Sequence, residues 1–69
     1  MEVRWIRGAE IRVSIHGDEA VISANREGLL SLARQMIDLA EEPAGGHIHY
    51  DETNSLEEGS APLIIEKTQ

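Results

Sequence analysis

The sequence predicts a small α+β fold: a two-layer sandwich with one helix packed on a mostly antiparallel sheet, in the order βββαββ. Three observations predict it. Apolar and polar residues alternate over 10–16 and 47–51, the period of two that marks half-buried strands. Between Leu29 and Ala40 the apolar residues recur at three–four spacing, the period of a helix. Strands grouped on either side of that helix place it across one face of a sheet. A chain of 69 residues makes a single domain, 1–69, and one this small buries only about 60% of its unfolded surface.

"EVRWIR" (2–7) reads as a short strand with Val3 and Trp5 inward. Gly8-Ala9 suits a two-residue hairpin with glycine at the first central position. In "EIRVSIH" (10–16), Ile11, Val13 and Ile15 face one side, and Glu10, Arg12, Ser14 and His16 face the other. A turn at Gly17-Asp18 leads to "EAVISA" (19–24), which completes a meander. Asn25 is a good N-cap, and Glu27 puts negative charge in the first helical turn, where the dipole favours it. Leu29, Leu32, Ala33, Met36 and Ala40, widened by Leu30, Ile37 and Leu39, form the apolar side; Ser31, Arg34, Gln35 and Asp38 occupy the opposite face.

Glu41, Glu42 and Pro43 end the helix, and Gly45-Gly46 lets the chain turn back. The two acids oppose the dipole, which points to a role outside the helix. "HIHYD" (47–51) is the fourth strand, and "ETNSLEEGSA" (52–61) is a polar connection. "PLIIEK" (62–67) is the fifth strand, with Leu63 and Ile65 inward and Pro62 at the position a strand tolerates.

Composition narrows the function. Cysteine is absent, which removes disulfides and thiolate metal sites and fits a reducing cytoplasm, the expected location. No apolar run approaches the roughly 20 residues of a membrane span, so no membrane partner is expected. Trp5 and Tyr50 are the sole aromatics, too few for a base-stacking platform. The net charge is −7 and lies wholly in the second half: the acids and arginines of residues 1–34 cancel, while residues 35–69 carry only Lys67 against their acids. Such a chain repels phosphate backbones, so nucleic acid is not an expected partner; a protein with a basic surface is.

Two stretches carry candidate chemistry. Alternation places His47, His49 and Asp51 on one strand face, away from the helix, with Ile48 and Tyr50 on the other. Histidines two apart on a strand can share a zinc ion, and His16 faces the same way as a further ligand. The same residues equally suit a solvated strand face or a protein interface. The second stretch is Leu56-Glu57-Glu58-Gly59, where an apolar residue interrupts a polar connection. Leu56 either plugs the end of the sandwich or anchors an acidic loop for insertion into a basic cleft. No serine sits in a nucleophile elbow and no glycine motif cradles phosphate, so the chain reads as a non-enzyme with no cofactor. Its open sheet face leaves a homodimer as a further reading.

Over residues 23–65 the chain resembles immunity protein family 32, small bacterial proteins of polymorphic toxin systems. The resemblance is carried by Ala24-Asn25-Arg26-Glu27-Gly28-Leu29, by His47-x-His49-x-Asp51, and by Leu56 followed by Gly59-Ser60 and Leu63. It implies a non-catalytic protein that binds and neutralises a cognate toxin, a basic nuclease being one candidate. Under it, Glu41, Glu42, Asp51, Glu52, Glu57 and Glu58 become candidate contact acids, with Tyr50 or Leu56 as an apolar anchor. The runner-up remains a small metal- or ligand-binding module built on His47, His49, Asp51 and His16.

Overall fold

A computed structural model describes all residues from Met1 to Gln69. The element order is β1 (Ile11–His16), β2 (Glu19–Ala24), α1 (Arg26–Ala40), β3 (His47–Tyr50) and β4 (Leu63–Glu66). The α+β class holds, but the order is ββαββ, and the strands form two separate antiparallel pairs, β1–β2 and β3–β4. The core draws on every part: Ile11 and Val13 from β1, Leu32 and Leu39 from α1, Ile48 and Tyr50 from β3, and Leu56 from the long connection.

The first expected strand, residues 2–7, is not a strand. Its backbone is held by side chains instead of a ladder. Ile6 N–H donates to Ser31 Oγ at 2.9 Å, and Gln35 Nε2 donates to the Arg4 carbonyl at 2.8 Å. Ser31 in turn donates to the Glu27 carbonyl at 2.7 Å. Trp5 meets the Tyr50 ring edge-on, with centroids 6.0 Å apart, while Val3 is exposed. The turn also falls one residue earlier than expected: Ala9 N–H donates to Ile6 O, and Gly8, at φ 87°, takes the second central position, where only glycine is at ease.

The edge of β1 that a meander gives to that strand is taken by residues 57–61. Glu57 N–H donates to Ile11 O and Ala61 N–H to Val13 O, both at 2.8 Å, while Val13 N–H donates to Ser60 Oγ at 3.2 Å. This segment runs directly into β4. It thereby joins the two sheets through one chain and leaves no bare strand edge there.

Rotation of α1 is the second correction. Its buried residues are Gly28, Ser31, Leu32, Gln35 and Leu39, a face that includes two residues expected on the solvent side. Leu29, Leu30, Met36 and Ile37 are exposed at 55%, 38%, 44% and 65%. The cause is polar. Ser31 and Gln35 supply the hydrogen bonds that an unpaired N-terminal backbone needs, and an unmet buried backbone group is expensive.

Asn25 fixes where the helix begins. Its Oδ1 accepts from Gly28 N–H at 2.8 Å, as an N-cap should, and from Glu10 N–H at 3.0 Å; its Nδ2 donates to Gly8 O at 2.8 Å. The helix start therefore lies so close to β1 that a Cβ on Gly28 would stand 2.7 Å from Glu10 O and 2.9 Å from Ile11 Cγ1.

At the other end the helix has no basic residue in its last turn. Lys67 supplies one from the chain terminus. Its Nζ donates to the Ala40 and Glu42 carbonyls at 2.7 Å each, placing positive charge where the dipole is negative.

Candidate functional site

The connection between β3 and β4 is irregular in outline but closely built. Asp51 opens it as a cap: its Oδ1 accepts from Thr53 N–H at 2.9 Å, Thr53 Oγ1 at 2.6 Å and Asn54 N–H at 3.1 Å. The Asp51 carbonyl accepts from the Ser55 and Leu56 amides at 3.0 and 2.9 Å. These bonds, the Thr53 hydroxyl foremost, hold the Asp51 carboxyl below its ordinary range. Asn54 ties the turn back to the strand, donating from Nδ2 to His49 O at 3.1 Å.

The far half of the loop is fixed by two charged residues. Glu52 Oε2 accepts from Gly59 N–H at 2.7 Å, and Arg12 Nη1 donates to the Glu58 carbonyl at 2.8 Å. Leu56, at 6% exposure, is driven into the core beneath. Glu58 is left exposed and Glu57 half-buried, both at the tip of a loop whose backbone is tied to β1.

The candidate contact residues therefore separate into distinct roles. Asp51 and Glu52 spend their carboxylates on the loop itself. Tyr50, 1% exposed, and Leu56 belong to the core, so neither serves as an apolar anchor at the surface. Burial also raises the Tyr50 hydroxyl pKa. Glu58, exposed, and Glu57, half-buried, lie beside the start of β1, where Gly28 meets Ile11. Glu41 and Glu42 sit beyond the other end of α1, beside Lys67. Fifteen residues of helix separate the two groups, about 22 Å at helical rise. The acids that cluster along the chain form two patches in space.

The strand face carries its histidines as alternation predicts. His47 and His49 are exposed, with ring centroids 4.9 Å apart, and pair across to Glu66 and Ile64. His47 Nδ1 lies 3.0 Å from the Gly45 carbonyl. His16 stands at the tip of the other hairpin, its Nε2 3.0 Å from Ser14 Oγ. No three histidine, aspartate or glutamate side chains gather in a group able to hold a metal ion.

Sequence reasoning did not find two features. One is Arg12, read as an ordinary outward residue, which tethers the acidic loop from 46 positions away. The other is the exposed apolar face of α1. Along the border of that face Trp5, Ile6, Arg34, Gln35, Ile37 and Asp38 line most of an open groove of about 590 Å³. No helix is long and apolar enough to cross a membrane.

Fold and site together define a small one-helix α+β protein that displays a braced acidic loop on two β-hairpins. The family model of immunity protein 32 matches residues 19–68, more than two-thirds of the chain, and the chain belongs to that family. The match takes in β2, α1 and both strands around the loop, and leaves β1 and the N-terminal segment outside it. No curated protein and no solved structure matches the chain significantly.

Proposed function

We propose that this protein neutralises a cognate bacterial toxin by binding it, without catalysis of its own, and that Glu57 and Glu58 meet a basic surface on that toxin. Family membership supports the general role. The observation that supports this particular site is the bracing of the loop: Asp51, Glu52, Arg12 and the β1 edge hold its backbone before any partner arrives. A preformed loop loses little entropy on binding. Its outward charges act at a distance, so they speed encounter with a basic partner more than they deepen affinity.

Nuclease-type toxins fit this reading because a cleft that binds phosphate is basic. Glu41 and Glu42 lie too far round the molecule to enter the same cleft as Glu57 and Glu58, so they form a separate, secondary contact patch. The direct test is growth rescue. The toxin encoded beside this chain is induced with and without it, and the two purified proteins are mixed. Rescue together with a one-to-one complex that weakens as salt rises supports the proposal. Toxicity that persists despite abundant folded protein refutes it.

A further inference from the structure

The sheet formed by β1 and β2 has two edges, and the chain covers only one of them. On the β1 edge, Ile11 O and Val13 O accept from the Glu57 and Ala61 amides. Backbone groups alternate in direction along a strand, so Arg12, Ser14 and His16 turn theirs towards β2. The register sets them opposite Ser23, Val21 and Glu19. Ala20, Ile22 and Ala24 therefore direct their N–H and C=O groups away from β1, out of the far edge of the sheet. No turn, loop or cap of the chain bonds to them.

A row of bare backbone donors and acceptors is matched by one chemistry, that of another extended strand. The usual protections of an edge are missing from β2. It runs six residues in unbroken register, contains no proline or lysine, and carries its one charge, Glu19, at the first position. β4 is guarded by contrast: it has four residues, follows Pro62 and ends on Glu66. The side chains along the β2 edge are apolar as well. Ala20, Ile22 and Ala24 share a sheet face with Ile15, Val13 and Ile11, their partners across the hairpin. Towards the hairpin tip that face is uncovered, with Ile22 exposed at 41% and Ile15 at 60%.

The fit of β2 to itself selects the occupant. Antiparallel pairing centred on Ile22 sets Ala20 opposite the second copy's Ala24, and Ile22 opposite its own counterpart. It is the one register in which all the outward residues of both strands meet one another, each pair exchanging both of its hydrogen bonds. Charge agrees with it. Glu19 falls opposite the second copy's Asn25, which keeps the two Glu19 residues about 20 Å apart along the strands. Shape agrees too. The small Ala20 and Ala24 leave room for the two Ile22 side chains to pack together. The row Ile15–Ala20 continues into the second copy's Ala24 and Ile11, where Gly28 brings in the start of α1. The uncovered tip of each hairpin is thus set beside the helix-covered end of the other.

We infer that two copies of this chain join β2 to β2 about a two-fold axis at Ile22, making a symmetric dimer with a continuous antiparallel sheet, β1–β2–β2–β1. This surface is a strand edge and not the open sheet face on which a homodimer is expected from sequence. It lies on the opposite side of β1 from residues 57–61, so the inference stands independently of the toxin proposal.

The test uses the purified full chain alone. Sedimentation velocity from low to high micromolar concentration should show a monomer–dimer equilibrium. Amide exchange followed by NMR over the same range should slow at Ala20, Ile22 and Ala24 as concentration rises, and change less at Val21 and Ser23, which are already bonded to β1. Ile22→Lys sets two like charges across the axis and should raise the dimer dissociation constant by at least about tenfold, with an unchanged circular dichroism spectrum. Ile22→Glu should do the same. Mixed in equal amounts, the two variants should pair with each other, because residue 22 faces residue 22; loss of folding does not produce that result. A chain that stays monomeric throughout overturns the inference. So does a dimer that neither variant weakens, or a pair of variants that stay apart when mixed. Protection of the three amides that appears only on adding the cognate toxin overturns it as well, and gives the edge to a strand of the toxin.

Discussion

The Tyr50 hydroxyl donates to Gln35 Oε1 at 2.7 Å, and Gln35 Nε2 donates onward to the Arg4 carbonyl at 2.8 Å. One buried amide thus links β3, α1 and the N-terminal segment, and it explains why a glutamine occupies the inner face of the helix. Tyr50→Phe leaves Gln35 Oε1 without its donor and should cost about 1–2 kcal/mol in urea unfolding. Gln35→Leu should cost more, because it orphans both the hydroxyl and the Arg4 carbonyl. It should also release residues 1–9, seen as faster amide exchange of Ile6. Equal, small losses in both variants would show that the amide does not tie the segment down.

Alkaline titration follows from the same hydroxyl. Burial raises the Tyr50 pKa in the folded state, so at high pH the folded chain holds a proton that the unfolded chain has lost. Its contribution to stability is complete below the unfolded tyrosine value of about 10 and is lost as pH rises through the higher folded value. Tyr50→Phe should therefore lose less stability than the parent protein above that pH. Parallel curves for the two proteins would contradict this.

Asp51 has the opposite sign. Thr53 and Asn54 hold its carboxyl low, so it favours the fold above its unfolded pKa and ceases to as pH falls through the lower folded value. Thr53→Val removes the largest cause while keeping the side-chain shape. Carbon-detected NMR titration should show the Asp51 carboxyl moving up towards its ordinary range, with the loop amides exchanging faster. An unmoved titration curve would mean that the hydroxyl contributes nothing.

Gly28 inverts an ordinary expectation. Glycine to alanine inside a helix usually gains about 1 kcal/mol. Here the new Cβ would stand 2.7 Å from the Glu10 carbonyl oxygen, which is backbone and cannot swing aside. Gly28→Ala should thus destabilise by about 1–3 kcal/mol, in the range of overpacked sites. A thermal melt of the variant above that of the parent would show that the helix can slide away from β1.

The parts of this fold legible in the sequence are those fixed locally. Alternation gives β1, β2, β3 and β4 to within a residue or two, and Asn25 marks the helix start because a cap needs only its own next turn. The rotation of α1 was not legible. Pattern reading turns Leu29, Met36 and Ile37 inward, but Ser31 and Gln35 are claimed by Ile6, Arg4 and Tyr50, partners that only the folded chain brings near. The same long-range claims explain residues 2–7, whose alternation looks identical whether side chains or a ladder hold the backbone. Of the candidate site, the outward histidines and the acidic loop were readable. The inward turn of Tyr50 was readable too, though not its loss as an anchor. The division of the acids into two patches depends on how α1 lies across the core, which spacing along the chain does not encode.

Arg12 and Glu58 offer the means to separate charge from shape in the acidic loop. Arg12 holds the Glu58 carbonyl, whereas the Glu58 carboxylate is free of the loop's own bonds. Glu57→Gln with Glu58→Gln should leave the loop in place and slow association with a basic toxin, flattening the dependence of that rate on salt. Arg12→Ala should act differently. It frees the loop tip without removing an acid, so the association rate should hold or rise while dissociation quickens. Stopped-flow association and surface-binding dissociation rates, taken at low and high salt, distinguish the two. If both variants change only the association rate, the charges matter and the bracing does not; if neither changes either rate, the toxin meets another face of the molecule.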